Sequence, residues 1–312
     1  MTSRVSKPIE IRMAGYGPET TCFSKALKGI GEKLQAQFGS DIEVKYIWNI
    51  MDFGYKAEDI CWLVECGFLT LGYQSTSYFT SRIPDLAILD LPFIFADNDM
   101  ARRAMDGELG QIYKAEFETK MNYRILGYFE NGFRHVSNCV RPVHTPSDLN
   151  GLRLRVLPSK IQARTFELLG ADPKIMDLSE ARAGIADGTL DAQENPFANT
   201  VTYGVHNYHK HHTMTGHSYL SRPIFVHQQS YDGYPKELQA ALSRAARDAI
   251  DVQRELGMEE DREAGEAIKA AGGKIVDLSQ DEQQAFRDAV QPLLDEAVSE
   301  YDNRILNMVS NL

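Results

Sequence analysis

Two periods of apolar and polar positions take turns along this chain, and their succession predicts its elements. Ile9 and Ile11 alternate with Glu10 and Arg12 and run into Met13 and Ala14, a short strand closed by Gly15 and Gly17. Pro18 and Thr20 suit a helix start, after which Phe23, Ala26, Leu27, Ile30, Leu34 and Phe38 fall at helical spacing until Gly39. Ile42, Val44, Tyr46 and Trp48 then alternate with Glu43, Lys45 and Ile47 as a half-buried strand. A helix over about 57–65 and a strand over about 68–74 complete a β-α-β-α-β run, which predicts a parallel sheet covered by helices on both faces.

The second half repeats the scheme. Tyr123–Phe129 and Leu152–Val156 read as strands, and Ile161–Leu169 and Ser179–Asp187 as helices. Leu238–Ala271 and Asp281–Met308 read as long amphipathic helices, broken by Gly272-Gly273 and by Pro292. No a/d heptad is sustained, so nothing demands a coiled-coil dimer and a monomer is expected. One echo links the halves. Glu65-Cys66-Gly67 is followed by Phe68–Gln74, and Ala186-Asp187-Gly188 by Thr189–Asn195. Each reads as helix, glycine stop, short strand and a polar residue at the strand's carboxyl end, where open parallel sheets bind ligands. Two such half-sites point to two similar lobes facing a shared cleft.

Composition narrows the function. The 312 residues carry 33 Lys+Arg against 44 Asp+Glu, a net charge of −11, which disfavours nucleic acid or anionic lipid as a partner. Hydrophobic residues at 43% and charged residues at 25% are ordinary for a globular chain. The most apolar stretch, Ile83–Phe95, holds Asp85, Asp90 and two prolines and is too short to span a membrane. Met1–Pro8 has no apolar h-region, so no signal peptide is expected within it, and a cytoplasmic protein and a processed exported chain both stay open. Cys22, Cys61, Cys66 and Cys139 lack CxxC spacing and read as small buried hydrophobes.

Candidate chemistry is concentrated in arginines. In the strand Leu152–Val156, Arg153 and Arg155 share the face opposite Leu152, Leu154 and Val156. Either one points into a cleft, where its planar fork matches a carboxylate, or both are solvated or paired at a sheet edge. Arg134 lies in Asn131-Gly132-Phe133-Arg134, just beyond another strand. Pro196 ends the strand that carries Gln193 and Asn195, whose amides suit carboxylate or hydroxyl recognition, with a plain turn as the competing reading. Gly15-x-Gly17-x-x-Thr20 has threonine where a dinucleotide fingerprint needs its third glycine, so no such cofactor is expected. His206, His209, His211 and His212 lack a carboxylate or cysteine at ligand spacing and read as a solvated loop or helix surface. His217 and Tyr219 would share a strand face, lining a pocket or packing in the core.

The segments Gly151–Val156, Asp187–Pro196, Asn131–Arg134 and Asp90–Phe95 (GLRLRV, DGTLDAQENP, NGFR, DLPFIF) together resemble TRAP transporter substrate-binding proteins, from about Ile9 to the C-terminal helices. The resemblance implies a two-lobe periplasmic-binding-protein-like α/β fold with mostly parallel sheets, a long connecting helix and C-terminal helices. It places lobe I at 8–130 plus about 218–257 and lobe II at 131–217 plus about 258–312. It further implies a periplasmic receptor, without cofactor, that binds a small organic acid and delivers it to a TRAP membrane permease. Arg155 then occupies the position that pairs with the ligand carboxylate, Arg134 that of a second contact, and Asn195 that of a hydrogen-bonding amide. Affinities from μM to nM correspond to about 8–12 kcal/mol. One ion pair cannot supply that, so Thr20, Gln74, Ser75, Tyr78, His217 and Tyr219 are the further lining candidates. Gly72–Thr76 stands where some sialic- or sugar-acid binders carry a glutamate, which tilts the expectation toward a monocarboxylate with a modest polar or aromatic tail. The rival reading is a lyase or isomerase acting on a carboxylate, with Glu130, His135 or Glu194 as acid and base.

Overall fold

The computed structural model describes residues 7–310, so the expectation about Met1–Pro8 falls almost wholly outside the described residues. Nine strands are present among them: β1 (Ile9–Ala14), β2 (Ile42–Ile47), β3 (Leu71–Tyr73), β4 (Tyr123–Asn138), β5 (Arg153–Val156), β6 (Asp172–Ile175), β7 (Ala192–Asn195), β8 (His211–His227) and β9 (Lys274–Asp277). The α-helices are α1 (Cys22–Phe38), α2 (Asp59–Glu65), α3 (Asn98–Asp106), α4 (Glu108–Lys120), α5 (Lys160–Leu168), α6 (Leu178–Asp187), α7 (Phe197–Thr202), α8 (Gln228–Gly233), α9 (Lys236–Ala270), α10 (Gln280–Glu300) and α11 (Asn303–Ser310). They group into two compact units. The first comprises residues up to 74, 114–129 and 223–256; the second comprises 75–113, 130–222 and 257 onward, so segment 75–113 groups with the second.

In the first unit β1 lies between β2 and β3, parallel to both, and β3 runs antiparallel to β8 through Leu71↔Val226 and Tyr73↔Ile224. Helix α1 forms because its apolar positions fall on one stripe. Phe23, Ala26, Leu27, Ile30 and Leu34 are buried there. Its cap is Thr21 rather than the neighbouring Thr20: the Thr21 hydroxyl accepts from Ser24 N at 3.2 Å. The strand expected over 68–74 is only three residues long, because the chain spends Phe68–Thr70 leaving the turn at Gly67.

The second unit repeats this order. β5 lies between β6 and β7, parallel to both, and β7 runs antiparallel to β4 through His135↔Asn195 and Asn138↔Ala192. The β4 strand continues past Phe129 to Asn138, so Arg134 sits within a strand and not beyond one. β9 adds in parallel to β8. Leu154, Val156, Val136 and Ala192 pack with Phe166 and Ala163 of α5 and with Phe286 and Val290 of α10. Each large side chain so buried contributes about 1.5–3 kcal/mol.

The echo between the halves is physical. Gly67 and Gly188 both adopt left-handed backbone, at φ 77° and 78°. Two residues on, Leu69 N donates to Leu63 O and Leu190 N to Gly184 O, each at 2.9 Å, which turns the chain from helix into β3 and β7 alike. Three further expectations fail. Of the four cysteines only Cys22 is buried; Cys61 is half-buried, and Cys66 and Cys139 are exposed. Pro292 lies inside α10 without ending it; the residue is exposed, and the helix runs on to Glu300. The histidines are no solvated surface either. His209 and His212 are 1% and 0% exposed, His209 just before β8 and His212 within the strand.

Candidate functional site

Strand register assigns side chains of the second unit to faces. Arg155 pairs with Gln193, Gln193 with Ser137, and Asn195 with His135, so these five share one face. Leu154, Val156, Ala192, Val136 and Glu194 share the other, toward α5 and α10. The two arginines of β5 therefore leave the hydrophobic core together, but their fates differ. Arg153 reaches the edge and is half-exposed, with its Nε and Nη2 donating to Asp191 Oδ2 and Oδ1 at 2.8 and 2.7 Å. Arg155 is 2% exposed. Its Nε donates to the Met176 carbonyl at 3.1 Å and its Nη2 to the Tyr78 hydroxyl at 3.5 Å, and no carboxylate of the described residues pairs with it. The Tyr78 hydroxyl in turn donates to Asp177 Oδ2 at 3.3 Å.

Arg134 is a different kind of buried cation. Its Nε and Nη2 grip the Glu194 carboxylate, the latter at 2.8 Å from Oε1, and Nη2 also donates to the Glu194 carbonyl at 2.6 Å. Only Nη1 remains uncommitted to the described residues. Burial by itself would raise the Glu194 carboxyl, but the Arg134 charge and the His217 ring outweigh it and hold the group at about 2. His217 Nε2 lies 3.4 Å from Glu194 Oε2, and its Nδ1 is 2.8 Å from the Thr215 hydroxyl. Burial, the neighbouring His217 and the Arg134 charge together push His135 down to about 3, so it is neutral at pH 7.

The amides form a chain of their own. Gln193 Nε2 donates to Thr200 Oγ1 at 3.2 Å, Asn195 Nδ2 to Gln193 Oε1 at 3.0 Å, and Asn199 Nδ2 to Asn195 Oδ1 at 3.4 Å. This fixes the Asn195 amide with its oxygen toward α7. Tyr219 is buried, its hydroxyl donating to Glu130 Oε2 at 3.0 Å, and Glu130 is also gripped by Arg102 at 2.7 and 2.8 Å. Ser75 is buried and opens the 3-10 turn that carries Tyr78. Of the expected lining residues, Gln74 and Thr20 belong to the first unit. Gln74 is buried with Nε2 donating to the Ala57 carbonyl at 2.7 Å, and Thr20 is exposed on the turn before α1. Asp177 escaped the sequence reading, although Asp177-x-x-Glu180 is the capping-box pattern that the structure shows at the start of α6. Among the described residues no cluster of His, Cys, Asp and Glu is placed to hold a metal, and no helix is long and apolar enough to cross a membrane.

Two α/β units of one strand order, one of them holding a buried guanidinium that no carboxylate of the described residues pairs with, fit the class of solute-binding proteins. The chain belongs to the bacterial extracellular solute-binding protein family 7, whose model matches residues 16–300. It is 32% identical over 228 residues to the 2,3-diketo-L-gulonate-binding periplasmic protein YiaO of Escherichia coli, covering 73% of this chain and 68% of that one. Two crystal structures of TRAP periplasmic solute-binding proteins share its fold. The one from Chromohalobacter salexigens, with bound D-glucuronate, superposes with a TM-score of 0.89 at 26% identity over 96% of this chain and 98% of its own. The one from Sulfurospirillum deleyianum, with bound succinate, gives 0.90 at 25% identity over 96% and 98%.

Proposed function

We propose that this chain is an extracytoplasmic receptor that holds a small organic acid by its carboxylate at Arg155 and hands it to a TRAP-type membrane permease. The observation that supports this reading is the state of Arg155: a buried guanidinium facing two neutral acceptors. A buried cation without its counter-ion is costly, by several kcal/mol, and a ligand carboxylate accepting two parallel N–H bonds removes that cost. Arg134 adds its free Nη1 as a second contact while Glu194 fixes the direction of its fork. Asn195 offers its remaining Nδ2 hydrogen to the same carboxylate. The ligands of the relatives, a diketo-gulonate, a glucuronate and a succinate, all carry a carboxylate, which supports this reading.

Catalysis is the weaker reading for a physical reason. A general base works best with a pKa near the operating pH. Glu194 is held at about 2 and His135 at about 3, and Glu130 is clamped by Arg102 and Tyr219.

The test is a thermal-shift screen of organic acids on the wild-type chain and on Arg155→Met. A ligand at 100 times its Kd adds about 2.7 kcal/mol. With an unfolding entropy of ~2.1 cal/mol/K per residue over 312 residues, that is a Tm rise of about 4 °C. The shift should vanish in Arg155→Met. An acid that stabilises both proteins equally would remove Arg155 from the site, and turnover of a bound acid by elimination or isomerisation would restore the enzyme reading.

A further inference from the structure

Asp90 is one of the buried carboxylates of the second unit, and unlike Glu194 it has no cation in contact. It is 1% exposed. Its Oδ1 accepts from the Ser77 hydroxyl at 2.7 Å and from Gln162 Nε2 at 3.2 Å. Its Oδ2 is fully buried and accepts from nothing among the described residues. The same holds for Gln162 Oε1, on the residue already bonded to it. Two buried acceptors left over on one hydrogen-bonded pair are an uncommon arrangement, because each forfeits about 1–3 kcal/mol. A single proton settles both: placed on Oδ2, it makes that oxygen a donor to Oε1, and acid and amide close a two-bond ring.

We propose that in mildly acidic solution Asp90 is held as the neutral carboxylic acid, its Oδ2–H donating to Gln162 Oε1, and that the ring makes it a positioning residue for Tyr78. The charged and titratable groups that face it are Arg134 from β4 and Tyr301 from the turn after α10. The Arg134 charge is already spent on Glu194. Burial, the largest influence, raises Asp90 to about 6 against the hydroxyls of Ser77 and Ser159, the Gln162 amide and Arg134, all of which favour the anion.

The positions of the partners give the ring its consequence. Ser77 immediately precedes Tyr78, whose hydroxyl receives Arg155 Nη2. Gln162 lies in the first turn of α5, which Ser159 caps directly after the strand that carries Arg155. Gln162 Nε2 also reaches the Ser77 hydroxyl at 3.3 Å. The ring thus ties the turn bearing Tyr78 to the helix behind Arg155. Loss of the Asp90 proton exposes two acceptors to each other and loosens that tie. Its effect on ligand affinity rests on Arg155 being the carboxylate anchor; its effect on Tyr78 does not.

The experiment therefore needs no ligand. The side-chain carboxyl of Asp90 is followed by ¹³C NMR in Asp-labelled protein, assigned through its own Cβ correlation. Tyr78 is followed by ¹⁹F NMR in 3-fluorotyrosine protein, assigned with Tyr78→Phe. The Asp90 carboxyl is expected to titrate with a midpoint near 6, and the Tyr78 signal to move with the same midpoint. Asp90→Asn, which keeps a donor toward Gln162 Oε1, should flatten the Tyr78 titration and hold or raise the Tm at pH 8. Asp90→Ala should lower the Tm at every pH. A carboxyl that titrates near the ordinary value of about 3.9 overturns the proposal. So does a Tyr78 signal that stays flat while the carboxyl titrates, or an Asp90→Asn protein that melts as early as Asp90→Ala.

Discussion

Two buried arginines, on strands with β7 between them, should respond differently to the same substitution. Replacing Arg155 by Met keeps the length and apolar stem and removes a guanidinium whose partners are one carbonyl and one phenol. The loss is two hydrogen bonds from a charged donor, about 1.5–3 kcal/mol each at most. The gain is relief from burying an uncompensated charge, several kcal/mol. These nearly cancel, so Arg155→Met should leave the ligand-free Tm within about 2 °C of wild type. Arg134→Met deletes one half of a fully buried pair and strands the Glu194 carboxylate, which is 0% exposed. Breaking such a pair costs about 3–5 kcal/mol. At about 0.66 kcal/mol/K of unfolding entropy for 312 residues, Arg134→Met should lower the Tm by about 5–8 °C. Calorimetry at pH 7 on ligand-free, refolded protein reads both. Equal losses in the two variants would mean that the Arg155 charge is compensated within the fold, and the case for a ligand carboxylate there would fall with it.

Acid should destabilise the protein early. His135, His209 and His212 sit at about 3, 3 and 4, burial being the main cause, while an unfolded histidine titrates near 6.5. The unfolded chain therefore binds protons first as the pH falls below 6.5, and stability is lost from there down. By pH 5 each histidine costs about 2 kcal/mol. Asp90, with its pKa raised in the folded state, gains stability over the same range and returns about 1 kcal/mol. Urea unfolding at pH 7 and pH 5 should differ by roughly 5 kcal/mol, and a flat profile would contradict the burial of these rings. Gly188→Ala meets open space and should cost only the left-handed strain, about 1–2 kcal/mol. Gly67→Ala also strikes the His227 ring at 2.8 Å and should cost more; equal melting temperatures would disprove the contact. Pro292→Ala restores an N–H in an exposed helix interior and should raise stability by about 1–3 kcal/mol in denaturant titrations; a loss would show that the proline is tuned to a bend in α10.

The legible part of the sequence was the part where periodicity and punctuation agree. Apolar stripes and glycine stops located α1, α5 and α6, and the doubled helix-glycine-strand segment anticipated the matching turns at Gly67 and Gly188. Alternation in Gly151–Val156 separated Arg153 and Arg155 from the core, but could not say which of them finds a counter-ion, because Asp191 lies far along the chain, just before β7. The same limit hid the Glu194–Arg134 pair: two residues brought together by antiparallel pairing leave no local trace, and Glu194 stood only as an acid of the rival enzyme. The histidine segment misled because its polar letters suggest solvent, whereas tertiary packing around the start of β8 buries His209 and His212. Pro292 misled because a helix held by Phe286, Val290 and Leu293 in the core survives one missing hydrogen bond.

The return of the chain through its two units has a consequence for how it is made. The third strand of the first unit finds its antiparallel partner only at Ile224–Val226, and residues of that unit continue to 256. A ribosome that has finished β1, α1, β2 and β3 has therefore produced an open sheet edge and not a domain. Long-range pairing of this kind is slow and cannot begin before the distant strand exists. The nascent chain must stay unfinished, and in need of protection from aggregation, until most of its length has emerged.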